Sequence, residues 1–180
     1  MKTRSILLGL LCAANLAQAD LSGKGRERQH NYVDEGPWQE QILALPAFGK
    51  MDWVELVKPV TVKSRLFIDR QTLQLADDRT VRLTLLQLSS GGIENISREG
   101  IHCGQRTQRS YAYGDTVHQR WIESQRTEWR KLDRNNEAMK VVTQALCPEN
   151  TPPLNADELA NNLRQASTAA GPAKIEPNRQ

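Results

Sequence analysis

The chain has 180 residues, 24 of them lysine or arginine and 21 acidic, for a formal charge of +3 and a hydrophobic content of 38 %. That is material for one modest domain, and its charge is too balanced to supply the concentrated basic face that nucleic-acid binding calls for. Its three cysteines include no Cys-x-x-Cys pair, which speaks against a redox motif or half of a zinc site.

The chain opens Met1-Lys-Thr-Arg4, runs through the apolar stretch Ile6 to Leu16 and reaches Ala17-Gln18-Ala19, the pattern of a secretory signal peptide cleaved after Ala19. Residues 1–19 are therefore expected to lie outside the fold. No later stretch approaches the roughly 20 apolar residues of a membrane-spanning helix. Cys12, as the lipid-bearing residue of an outer-membrane lipoprotein, is disfavoured because Leu11 stands where such sites want a small residue. Loss of Lys2 and Arg4 with the signal reduces the 24 basic residues to 22 against 21 acidic ones, a net +1. Two cysteines remain, Cys103 and Cys147, and an even count in an exported chain predicts one disulfide, since the periplasm is oxidising.

Asp20 to Gly36 is polar, charged and without apolar period, and reads as a mobile N-terminal arm. Trp38, Ile42 and Leu45 then fall at helical spacing, which predicts a short helix over 38–45 stopped by Pro46. Met51–Val57 alternates as a strand ended by Lys58-Pro59, and Val60–Ser64 is read as its continuation in a new direction. Arg65-Leu-Phe-Ile-Asp69, Leu73–Ala76 and Val81–Leu88 follow as strands, with Asp77-Asp78-Arg79 as the hairpin turn between the last two. In the long strand Val81, Leu83 and Leu85 face one side while Arg82, Thr84, Leu86 and Leu88 face the other. That second face turns apolar towards its end, so the strand is expected to be central and partly covered on both sides.

Ser89-Ser-Gly-Gly92 reverses the chain into Ile93–Ser97. From Glu99 an alternation runs through Ile101, Cys103, Gln105 and Thr107 to Tyr111 and Tyr113, whose rings are expected to share a face. Asn135–Cys147 is the strongest helical segment: an asparagine caps it before Glu137, Ala138, Met139, Val142, Ala145 and Leu146 line one face, and Pro148 stops it. Its end would bring Cys147 to the strand that carries Cys103. A second helix is predicted from Ala156 to Gln165, capped by Asn155, with Leu159 and Leu163 inward. Residues 166–180 read as a disordered tail. The fold class that follows is α+β: an antiparallel sheet of about five to six strands packed against one or two helices in a single domain over 37–165, held by one disulfide.

Arg65-Leu-Phe-Ile-Asp69, Val81-Arg-Leu-Thr-Leu85, Ser90-Gly-Gly-Ile-Glu-Asn-Ile-Ser97, Glu99-Gly-Ile-His-Cys103, the Tyr111 neighbourhood, Glu128-Trp129 and Leu146-Cys147-Pro148 together resemble the CNP1-like (cryptic neisserial protein 1) family of exported proteobacterial proteins. The resemblance covers roughly Trp38 to Pro148. The family's function is not established, so the resemblance carries over no catalytic residue. More remotely, the order of strands, cysteines and aromatic residues is similar to the surface-adhesin protein E domain, which implies an antiparallel sheet engaged in protein–protein binding at the bacterial surface.

No nucleophile with a base and no ligand cluster stands out for enzymatic work or for holding a cofactor or metal. Asp69 and Glu99 are the carboxylates to inspect as an acid/base pair of an envelope hydrolase; against this, Asp69 can terminate its strand by bonding the following backbone, and Glu99 can pair with a nearby arginine such as Arg98 or Arg65. The leading expectation is a non-catalytic binding module of the periplasm. Its candidate surface comprises Arg98, Arg106, Arg109, Tyr111, Tyr113, Arg120 and Trp121, suited to an envelope protein, glycan or lipid head group. A homodimer through an exposed strand edge is also open to such a sheet.

Overall fold

The structure, a computed structural model, describes residues 37–167. The predicted signal peptide, the N-terminal arm and the tail beyond Ser167 lie outside the described residues. Eight strands are present among the described residues: β1 (Trp53–Glu55), β2 (Arg65–Asp69), β3 (Gln74–Leu75), β4 (Val81–Leu88), β5 (Glu94–His102), β6 (Thr107–Asp115), β7 (Arg120–Glu123) and β8 (Arg130–Lys131). They form one sheet in the order β1-β2-β4-β5-β6-β7, antiparallel throughout, with β3 beside β4 and β8 beside β6. The count exceeds five to six because β7 and β8, four and two residues long in polar, arginine-bearing sequence, carry too little alternation to read as strands.

Local turn chemistry sets the long hairpins. Between β4 and β5 the Gly92 N–H donates to Ser89 O at 3.0 Å, with Gly92 at φ 81°, where a side chain would be strained. The β3–β4 turn places Arg79 at φ 64° and is closed by the Ala76 N–H donating to Thr80 O. A third hairpin corrects the expected alternation from Glu99 to Thr107. The strand breaks after His102, and Cys103 to Arg106 form a turn in which the Arg106 N–H donates to Cys103 O at 3.1 Å. Val60–Ser64 likewise does not continue β1; it is a turn, with Val62 buried beneath it.

One face of the sheet carries the larger core. Val81, Leu83, Leu85 and Ile101 meet Met139, Val142 and Leu146 of α1 (Glu137–Leu146) and Leu159 and Leu163 of α2 (Ala156–Ala166). Each helix starts on an asparagine cap: Asn136 accepts from the Met139 N–H, and Asn155 from the Glu158 N–H. Cys103, at the end of β5, is bonded to Cys147 at the end of α1, with 5.7 Å between their Cα atoms. The expected staple between sheet and helix is therefore present. α2 runs to Ala166, and Ser167 pairs with Leu56 beside β1, so these two residues belong to the fold and not to the predicted tail.

The opposite face is covered by residues 37–50, and here the predicted helix is corrected. The segment is extended, with Trp38, Glu40, Leu43, Leu45 and Phe48 partly buried and Ile42 96 % exposed. It is tied at one end by the Trp38 indole N–H to Asp78 O (2.9 Å) and the Gln41 N–H to Asp78 Oδ2 (2.8 Å), and at the other by the Trp121 indole N–H to Pro46 O (2.8 Å). As a helix it would present one narrow stripe. As an extended strap it covers the sheet from the β3–β4 turn to β7, closing Phe67, Leu86 and Ile96 beneath Phe48.

Candidate functional site

Between the strap and the sheet lies a buried polar network. β4 alternation sends Arg82 to this face, where only 2 % of the residue is exposed. A cation in that position requires partners. Arg82 Nη2 donates to Asp78 Oδ2 at 2.9 Å and to Gln41 O at 3.2 Å, and Nη1 to Glu40 Oε1 at 3.2 Å. Glu40 also accepts from Arg109 and from the Tyr111 hydroxyl, the latter at 2.6 Å. The Tyr111 ring is flanked by the Arg82 and Arg109 guanidinium groups, 4.6 and 4.9 Å from its centroid, and meets Trp129 edge-on, as Trp129 meets Trp38.

Burial pushes the Asp78 carboxyl upward, but hydrogen bonds from the Thr80 hydroxyl and the Gln41 and Thr80 N–H groups, with the Arg82 charge, outweigh it and hold the group below its usual range. Arg98, 6 % exposed, donates to Thr72 O at 2.8 Å and to Thr84 Oγ1 at 3.4 Å. Burial lowers its guanidinium to about 10, the nearby Arg82 adding to the effect and Asp69 opposing it. Leu43, Ala44 and Leu45 close a hole of about 20 Å³ over Arg82, Arg98 and Tyr111, room for one water molecule.

The seven residues of the candidate surface are thus distributed over separate places. Arg98, Arg109 and Tyr111 lie in the network under the strap. Trp121 packs on Phe48 at 5.0 Å, and Arg120 pairs with Asp115 at the β6–β7 turn. Arg106 borders a cleft with Arg134, Lys140 and Glu149 beside the disulfide. Tyr113 does not share a face with Tyr111. A bulge opposite Arg98 and Glu99 shifts the β5–β6 register, so Tyr113 stands opposite Ser97 and Ile122, on the helix side and 41 % exposed.

The carboxylate pair is also separated. Asp69 accepts from the Asp52 N–H (2.7 Å), the Gln71 N–H and the Thr72 hydroxyl (2.6 Å), which is the strand-terminating role weighed from sequence. It lies on the strap side with Thr72, Thr84 and Arg98. Glu99 stands opposite Leu83 on the helix side, accepting from the Ser110 hydroxyl at both carboxylate oxygens. Burial raises its carboxyl group, against the lowering effect of Ser110, Ser97 and Arg130. Its neighbours are these, while Arg65 pairs with Glu55 and Arg98 with the threonines. One substrate bond cannot sit between Asp69 and Glu99 with the sheet in the way. Among the described residues no three His, Cys, Asp or Glu side chains gather closely enough to hold a metal ion.

An open concavity lies instead at the corner where β1 and β3 meet α2. Its floor is Val54, Leu73 and Leu75 from the sheet and Leu159 and Leu163 from the helix, and its volume is about 240 Å³. Arg70 and Arg164 stand on its rim. Sequence reading missed this cleft because its walls come from four segments, each reading as ordinary core. It missed Glu40 because the residue was assigned to a helix; the signal available was the two-residue spacing of Trp38 with Glu40 and of Leu43 with Leu45.

The CNP1-like family profile matches residues 33–164, which takes in every strand and both helices up to the last turn of α2. The chain is 28 % identical over 123 residues to Cryptic neisserial protein 1 of Neisseria gonorrhoeae, a match covering 61 % of this chain and 60 % of that protein. The aligned part thus spans about three fifths of the relative's length. No solved structure matches the chain. No helix among the described residues is long and apolar enough to cross a membrane. With the profile spanning strap, sheet, disulfide and both helices, the chain belongs to the CNP1-like family.

Proposed function

We propose that this protein is exported to the periplasm and acts there as a non-catalytic binding module of the bacterial cell envelope. The signal-peptide pattern ending at Ala19 supports export, and the Cys103–Cys147 bridge suits an oxidising compartment. The observation that carries the binding role is a contrast within the fold. The side chains with the most chemistry, Glu40, Asp69, Asp78, Arg82 and Arg98, are consumed by one another and by backbone groups, whereas the α2 cleft presents apolar walls with two guanidinium groups at its mouth. Such a concavity with few convergent polar groups is how small-ligand sites are built.

The reading is tested by placing a photo-crosslinking amino acid at Ala160, on the cleft wall, in living cells, with a second copy of the experiment at the exposed Ile42. Irradiation followed by osmotic release of the periplasm should yield adducts at 160 and not at 42, in the released fraction. Adducts of equal yield at both positions, or protein retained in the cytoplasm, would overturn it.

A further inference from the structure

We infer that the α2 cleft is a site for a medium-chain fatty acid, its chain between α2 and the sheet corner and its carboxylate at Arg70 and Arg164. This rests on the binding-module reading and names the ligand class for the same site.

The cleft owes its existence to residue size. On α2, Leu159 and Leu163 are one turn apart and buried, whereas Ala156 and Ala160, also one turn apart, line the same opening with side chains too small to fill it. Across from them stand Val54, Leu73 and Leu75, partly buried and continuous with the core. The open cleft of about 240 Å³ is room for about eight heavy atoms at the roughly 30 Å³ that a water molecule takes in the liquid. An unbranched chain of about eight carbons fits that space. The apolar side chains of the walls make no hydrogen-bond demand, and the hydroxyl of Ser167, which also lines the cleft, donates to Arg164 O at 2.7 Å.

The rim supplies the complementary charge. Arg70 is held by Asp52 through Nε and Nη2, both to Oδ2, and its Nη1 has no acceptor among the described residues. Arg164 bonds Asn161 Oδ1 through Nη2 at 2.6 Å, and it has no carboxylate partner among the described residues. Both arginines are exposed and line the same cleft. The planar guanidinium fork matches the two oxygens of a carboxylate. A chain ending in an anion therefore satisfies both parts of the site, whereas a cationic head group would meet two like charges.

The test is calorimetric titration of the mature chain with sodium octanoate, hexanoate and 1-octanol, repeated on Ala160→Trp, Arg164→Gln and a chain ending at Ser167. Octanoate should bind at one site, and hexanoate about tenfold more weakly, since each buried methylene contributes a factor of three to four. Ala160→Trp should abolish octanoate binding while leaving the thermal midpoint unchanged, because Ala160 is exposed. Arg164→Gln should weaken octanoate about tenfold and leave 1-octanol unaffected. Octanoate binding that survives Ala160→Trp would overturn the location. Equal affinities for octanoate and 1-octanol would overturn the role of the arginines. Octanoate that binds only the chain ending at Ser167 would assign the cleft to residues 168–180 and overturn the fatty-acid assignment. No octanoate binding, with crosslinked adducts still forming at position 160 in cells, would remove the fatty acid and leave the binding module standing.

Discussion

The Tyr111 hydroxyl donates to Glu40 Oε1 at 2.6 Å, joining β6 to the strap across 71 positions of sequence. Because Glu40 also takes Arg82 and Arg109, one carboxylate on an extended segment pairs with two arginines of the sheet and fixes an aromatic ring between them. The strap is thereby part of the core of the fold and not an appendage to it.

Removing that carboxylate tests this. Glu40→Ala leaves Arg82 with Asp78 alone and Arg109 with no acid partner among the described residues, in surroundings where breaking an ion pair costs about 3 kcal/mol. The urea midpoint should fall accordingly, and Trp38 and Trp129 emission should shift red as the strap lifts. An unchanged midpoint would mean that the strap contributes nothing to stability.

Gly100 marks where the network needs space. A Cβ there would stand 2.8 Å from Tyr111 Cε2 and 2.9 Å from Trp129 Cη2, closer than side chains tolerate. Gly100→Ala should therefore destabilise by about 1–3 kcal/mol. Gly49→Ala, in the strap with nothing within 4 Å of the added carbon, is the matched control and should leave the midpoint where it was. Equal effects of the two would rule out close packing at Gly100.

The disulfide closes a loop over a sequence separation of 44 between β5 and α1. By loop-closure entropy its loss destabilises by about 4 kcal/mol. Both sulfurs are buried, so Cys103→Ser and Cys147→Ser should lower the thermal midpoint strongly and about equally. If one serine variant were silent, the bridge would not be what holds α1 to the sheet.

Glu99 predicts a dependence on pH. Its folded-state pKa is raised, chiefly by burial, so folding favours the protonated carboxyl. Its contribution is fully present below the unfolded value and is lost as pH rises through the folded one. Glu99→Gln keeps an acceptor for the Ser110 hydroxyl and never ionises. It should raise the melting temperature at pH 7 relative to the parent, with the gain shrinking as pH falls towards 4. A gain independent of pH would assign the effect to packing.

Much of the sheet was legible without coordinates because its information is local. The period-two alternation of Val81–Leu88 separates the two faces, Ser89–Gly92 makes a tight reversal, the asparagine caps start both helices, and the two cysteines beyond the predicted signal peptide imply a bridge. The candidate surface was less legible. Whether Arg98 meets solvent or Thr72 depends on what covers the sheet, and a single bulge between Arg98 and Glu99 moves Tyr113 to the opposite face from Tyr111.

The sequence by itself determined the α+β class, the main hairpins, the cysteine staple and the family resemblance, since each depends on residues near one another in the chain or on residue type alone. Only the tertiary structure decided that residues 37–50 are a strap. Trp38, Ile42 and Leu45 satisfy a helical period, but the second face of the sheet needs a cover as wide as the sheet, and an extended chain spans several strands where about two turns of helix would not. The same holds for the α2 cleft, whose floor and rim come from β1, β3, the β2–β3 turn and α2. A gap between packed elements belongs to none of their sequences.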